Sequence, residues 1–274
     1  MAGQDVRRSL PEGLGTAIRE TAEEIAALLG PDADMGLRIP GAEWNVGEAA
    51  AHLAVANELM AELAAGQARP YGDGTPQSLA EANERSLAEF GERGAEPLAA
   101  MIVKHADACV KALEEGAAES VEGPVVTPLG PMSPQELGSY LLTHMLGHGY
   151  DLARALGRTH MIDRARVGLT LPFMLTAMPR VTDPVRTAGM NARYDIRLWG
   201  GAGRFGVTLA DGVLTVDAQP PARPDCTILI EPVTFLLMAL GRQGQASPLA
   251  RGRIIVWGRK PWLAPRFPGL FTAP

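Results

Sequence analysis

Residues Ser133–Gly157, SPQELGSYLLTHMLGHGYDLARALG, constrain the fold more than any other stretch. Ser133 suits an N-cap, Pro134 the first helical position, and Glu136, three residues after the cap, completes a capping box. Gly157 supplies the stop, because glycine tolerates the left-handed conformation that follows a helix end. A helix with both ends so marked sets His144 and His148 one turn apart on one face. Two imidazoles so placed can hold one metal ion, with His–Zn distances near ~2.0–2.1 Å, but they need a third ligand from elsewhere. His52 is the best candidate. Spacing leaves the matter open: a lone histidine is commonly a core residue, two exposed histidines share the i,i+4 spacing by chance, and no HExxH motif is present.

The stretches before this helix are helical too. Leu14–Leu29 has apolar residues at helical spacing and ends at Gly30-Pro31. After the connector Arg38–Trp44, Asn45 caps a second helix over about Val46–Ala65, with Glu48 as the other half of a capping box. Val46, Ala49, Leu53, Ala56 and Leu63 face a core there, with His52 near that stripe. Arg69–Pro76 reads as a surface loop able to border a pocket. A third helical region runs over roughly Ser78–Glu115 with a kink around Gly94–Pro97, and Glu122–Pro134 is a proline-rich connection. Four helical regions imply a four-helix bundle, in which metal sites form from side chains on facing helices.

After Asp163 the pattern changes. Val167–Met178 is apolar and helical. Asn191–Trp199, Gly203–Leu209, Gly212–Val216, Asp225–Ile230 and Gly252–Trp257 alternate as strands, with Asp211-Gly212 as a hairpin turn and Pro232–Gly241 as an apolar helix. The fold class is therefore α + (α+β): residues 1–162 a helical bundle, residues 163–274 a small α+β domain with a largely antiparallel sheet. Arg251, Arg253, Arg259, Lys260 and Arg266 in the tail read as solvated charges.

A net charge of −6 argues against nucleic acid or an anionic membrane as the main partner. No apolar run reaches the roughly 18 residues of a membrane span, and the N-terminus lacks a signal-peptide core. Two cysteines, Cys109 and Cys226, offer no disulfide framework, so a reducing cytoplasm is expected; both read as packing residues.

Taken together, Glu43–Ala54 (EWNVGEAAAHLA) and Ser133–Gly157 resemble the mycothiol-dependent maleylpyruvate isomerase family of DinB-like metalloproteins. In that family a tryptophan precedes a capped helix whose histidine binds metal. A later helix brings two ligands four residues apart and an Asp-Leu-Ala-x-Ala-x-Gly tail, here Asp151–Gly157. The resemblance implies His52, His144 and His148 as ligands of a divalent metal, with Zn²⁺ the first choice. The maleylpyruvate isomerases carry glutamate where this chain has His144; three histidines occur in the wider DinB-like group. Pro224–Arg242 and Gly252–Phe271 resemble the family's sterol-carrier-protein-like C-terminal domain.

The resemblance implies a metal-dependent enzyme that uses a low-molecular-weight thiol, mycothiol or similar, against a small-molecule electrophile. In the family's isomerisation the thiolate adds to a double bond, the adduct rotates, and elimination releases the trans isomer. An S-transferase would share the thiolate step. Asp151 is positioned to orient a ligand imidazole or to pair with Arg154. Trp44 packs beside the cap or lines the pocket mouth, and Arg223 is a candidate cation from the second domain or a solvated loop charge. His105 and His160 are not expected at a metal. The alternative is a carrier that holds an apolar small molecule in the C-terminal domain; either protein is expected as a monomer or homodimer.

Overall fold

The computed structural model describes residues 10–272 except 68, 74, 76, 77 and 117–123. The segment before residue 10, parts of the 69–76 loop and the start of the 122–134 connection lie outside the described residues. The chain divides at Ile162/Asp163 into two compact units.

The described residues of the first unit form helices α1 (Leu14–Leu28), α2 (Val46–Ala64), α3 (Leu79–Glu89), α4 (Ala95–Glu114) and α5 (Pro134–Ala155), with a hairpin of β1 (Val125–Thr127) and β2 (Gly130–Met132) before α5. Helices α4 and α5 each lie against both α1 and α2, which closes a four-helix bundle, and α3 packs beside α2. Both expected capping boxes form. The Glu48 amide donates to Asn45 Oδ1 and the Asn45 amide to Glu48 Oε2, each at 2.8 Å. At α5 the Ser133 amide donates to Glu136 Oε2 at 2.7 Å and the Glu136 amide to Ser133 Oγ at 3.3 Å. Gly157, at φ +64°, ends α5: its amide donates to Arg154 O, and the Arg158 amide to Ala153 O, the two bonds of a Schellman stop.

Several features differ from the sequence reading. The single kinked region is two helices, because Phe90 turns extended and Arg93 donates to the carbonyls of Leu87 and Phe90 that α3 leaves unpaired. Pro97 falls in the first turn of α4, where its missing N–H costs nothing. The proline-rich connection contains the β1–β2 hairpin, whose Thr127 hydroxyl donates to Gly130 O at 2.7 Å. Helix α2 is also buried on nearly every side, Ala50, Ala51 and Ala54 included, rather than along one stripe.

The second unit contains α6 (Arg164–Ala177), α7 (Pro184–Thr187), α8 (Pro232–Ala239), α9 (Ala246–Ala250) and a five-stranded sheet. The strands are β3 (Ala192–Leu198), β4 (Gly203–Ala210), β5 (Val213–Asp217), β6 (Cys226–Ile230) and β7 (Ile254–Trp257), in the order β5-β4-β3-β6-β7. Only the β3–β6 pair is parallel. The expected Asp211-Gly212 turn joins Ala210 to Val213, with both central residues at positive φ, +50° and +87°. That is the hairpin twist two-residue loops prefer. Tyr194, Ile196, Phe205, Val207, Cys226 and Ile228 fill the buried face, where Phe205 meets Phe235 of α8. In the tail, Arg259 and Lys260 are not plain solvated charges; both pair with buried Asp225.

Since α5 carries two of the three imidazoles, its cap has functional weight. Ser133→Ala should lower the stability of the bundle by about 1 kcal/mol, read as a lower urea midpoint with an unchanged slope.

Candidate metal centre

Helices α2 and α5 are neighbours, and their facing turns bring His52 to His144 and His148. His52 Nε2 lies 2.9 Å from His144 Nε2, and the three potential ligand atoms all lie within 4.8 Å of one another. Ring centroids stand 4.9 Å (52–144), 4.9 Å (52–148) and 4.6 Å (144–148) apart. A tetrahedral ion with bonds of ~2.0–2.1 Å separates its nitrogen ligands by about 3.3 Å. The observed spacings bracket that value, so the donor set fits one divalent cation.

The electrostatics favour the neutral form that a ligand imidazole needs. His52 is buried, which pushes its pKa well below the ordinary histidine value, and a charge on His148 would push it further. His148 turns Nδ1 towards Asp151, whose Oδ2 lies 3.5 Å away. The carboxylate thus faces one ring nitrogen of His148 and leaves the other, Nε2, to the shared centre.

Trp44 immediately precedes the α2 cap, and its position is fixed by the Ile39 amide donating to Trp44 O at 3.0 Å. Its ring lies 4.9 Å from that of His52 and stacks at 6.1 Å on that of His148. The structure therefore gathers Trp44, His52, His144, His148 and Asp151. Arg223 is exposed in the loop between β5 and β6 of the second unit. His105 stands 3.9 Å from Glu58, and His160 accepts from the Ile162 amide; neither belongs to the cluster.

One residue escaped the sequence reading. Tyr140, one turn before His144, presents its ring edge-on at 6.4 Å from that histidine, and burial raises its hydroxyl pKa. The signal was the same four-residue spacing that links His144 to His148.

The sequence model of the mycothiol maleylpyruvate isomerase N-terminal domain matches residues 15–153, a span that holds all five clustered residues. The chain belongs to this family. Among solved structures, a histidine-to-alanine variant of the mycothiol-dependent maleylpyruvate isomerase superposes with a TM-score of 0.51 at 15% identity, covering 86% of this chain and 91% of that one. The likeness is one of fold. The mycothiol-dependent maleylpyruvate isomerase itself (TM-score 0.47, 16% identity, 85% and 90% covered) and the ubiquinone synthesis protein UbiJ-SCP2 (0.30, 15%, 38% and 91%) also match, too distantly to carry an argument. Comparison with curated proteins yields no match. No helix among the described residues is long and apolar enough to cross a membrane. Family membership places the chain with enzymes of the thiol-dependent isomerase kind.

The chain's own cysteines are poorly suited to act as nucleophiles. Cys109 is buried in α4, its Sγ 3.6 Å from Met60 O, and burial pushes its pKa up to about 12. Burial pushes Cys226 up to about 11. Thiolate, not thiol, is the nucleophile. Titration with a chromogenic disulfide at neutral pH should find neither thiol reactive in the folded protein and both reactive in denaturant.

Proposed function

We propose that the chain is a metal-dependent enzyme acting through a low-molecular-weight thiol of the mycothiol type, as a cis–trans isomerase or a thiol S-transferase on a small electrophile. The observation that carries this reading is the convergence of three imidazoles within 4.8 Å in a chain of the mycothiol maleylpyruvate isomerase family. On this reading residues 1–162 are the metal-binding domain and residues 163–274 the sterol-carrier-like one.

His52, His144 and His148 would hold the divalent cation, and three imidazoles suit Zn²⁺, Ni²⁺ or Fe²⁺. When bound, the cation would lower the pKa of a coordinated thiol, and three neutral imidazoles would leave its positive charge undiminished. The remaining work falls to the chain. Asp151, whose Oδ2 lies 3.5 Å from His148 Nδ1, orients that ring and aims Nε2 at the centre. Trp44, against both His52 and His148, excludes water on one side and offers a face to the thiol's carbon skeleton. Arg223, exposed in the loop between β5 and β6, is the candidate cation for carboxylates on the electrophile. His144, where the maleylpyruvate isomerases carry glutamate, removes one negative charge from the ligand set and favours the broader transferase reading.

Metal analysis separates this from a carrier that binds apolar molecules in its second unit. The purified protein should hold one divalent ion per chain, His52→Ala should lose it with its helical circular dichroism intact, and Asp151→Asn should weaken it about 10–100-fold. Full occupancy in His52→Ala would refute the ligand assignment. Metal-loaded protein incubated with mycothiol and unsaturated dicarboxylates or alkylating electrophiles should yield isomerised product or thioether mass, in proportion to bound metal.

A further inference from the structure

The net charge of −6 conceals an uneven split between the two units. Residues 163–274 contain fourteen Arg and Lys against seven Asp and Glu, a net of +7, whereas residues 1–162 contain eleven against twenty-four, a net of −13. Part of the second unit's excess is concentrated on the sheet face opposite its core. Strand register sets Arg197 directly across from Arg204, and Asp195 and Trp257 share their face. Like charges directly opposed on a sheet destabilise it, so this pairing needs a compensating group.

Asp195 is that group. It is 1% exposed and accepts four hydrogen bonds: from Arg197 Nε and Nη2 at 2.9 and 2.7 Å, and from Arg204 Nε and Nη2 at 2.9 and 2.8 Å. Burial by itself would raise the carboxyl's pKa, but the bonds from Arg204 and Arg197 outweigh it and hold it below the usual carboxylate range. One carboxylate against two guanidiniums leaves a net positive charge.

The geometry around the pair is confined. Arg197 sits over the Trp257 ring, 5.5 Å from its centroid. On the other side, Gly206, opposite Asp195, meets the Gln219–Pro221 loop so closely that a Cβ there would lie 2.9 Å from Pro220 Cα. Each guanidinium spends Nε and Nη2 on Asp195, and among the described residues no acceptor meets either Nη1. Both side chains remain 40% and 51% exposed. Of the other acids on this side, Asp225 is engaged by Arg259 and Lys260, and Asp217 stands on β5 beyond Gly206. Two forks held by a buried brace, on side chains that remain partly exposed, suit planar or tetrahedral oxyanions.

We propose that Arg197 and Arg204, braced by Asp195, form a receptor on the open sheet face of the second unit for the carboxylate or phosphoryl group of a small-molecule anion. The site does not depend on the metal reading. Its test is titration of the full-length protein with inorganic phosphate and, separately, with succinate at low ionic strength, monitored by the amide chemical shifts of β3, β4 and β7. Saturable shifts are expected with at least one anion; a response to phosphate alone assigns a phosphoryl ligand, and to succinate alone a carboxylate. Arg204→Gln should raise the midpoint about tenfold. Arg197→Lys, which keeps the charge and loses the fork, should raise it severalfold, and Arg251→Gln should leave it unchanged. Absence of saturation, an unchanged midpoint in Arg204→Gln and Arg197→Lys, or equal weakening by Arg251→Gln would overturn the proposal, the last by showing diffuse charge rather than a site.

Discussion

The side-by-side packing of α2 and α5 is the constraint on which the candidate centre depends. It places one buried imidazole, His52, against two half-buried ones, and burial keeps His52 neutral. Other faces of α5 serve the bundle. At Gly138 an added Cβ would come within 3.2 Å of Leu14 and Leu113, and at Gly149 within 3.1 Å of Ile25. These glycines let α1 and α4 approach while the histidine face stays turned to α2. Packing on one side of the helix thereby fixes the donor geometry on another.

The caps convert that packing into a defined register. Asn45 with Glu48 and Ser133 with Glu136 fix where α2 and α5 begin, and so the turn on which each histidine falls. The cap at Asn45 does more, since Trp44 just before it is delivered onto the rings of His52 and His148. A short segment of local hydrogen bonding thus builds one wall of the site. In the second unit the analogous role falls to strand register, which sets Arg204 of β4 across from Arg197 and beside Asp195.

Legibility tracked the range of the interactions involved. Caps, the Gly157 stop, the Asp211-Gly212 turn and the strands of the second unit are set within a few residues, and each stood where the sequence put it. The break at Phe90–Gly94 was read only as a kink, because it depends on Arg93 folding back onto carbonyls that α3 leaves open. The β1–β2 hairpin was hidden by three-residue strands that contain or adjoin proline. Arg259 and Lys260 looked like surface charges because their partner, Asp225, lies more than thirty residues away in sequence.

By itself the sequence determined the helix ends, the i,i+4 histidine pair and the change of class after residue 162, since all three are encoded in local spacing and capping chemistry. Only the tertiary structure decided that His52 comes within 2.9 Å of His144. It alone set two arginines over one carboxylate on an open sheet. The reason is distance along the chain. Ninety-two residues separate His52 from His144, and no local periodicity specifies which faces of two such helices meet.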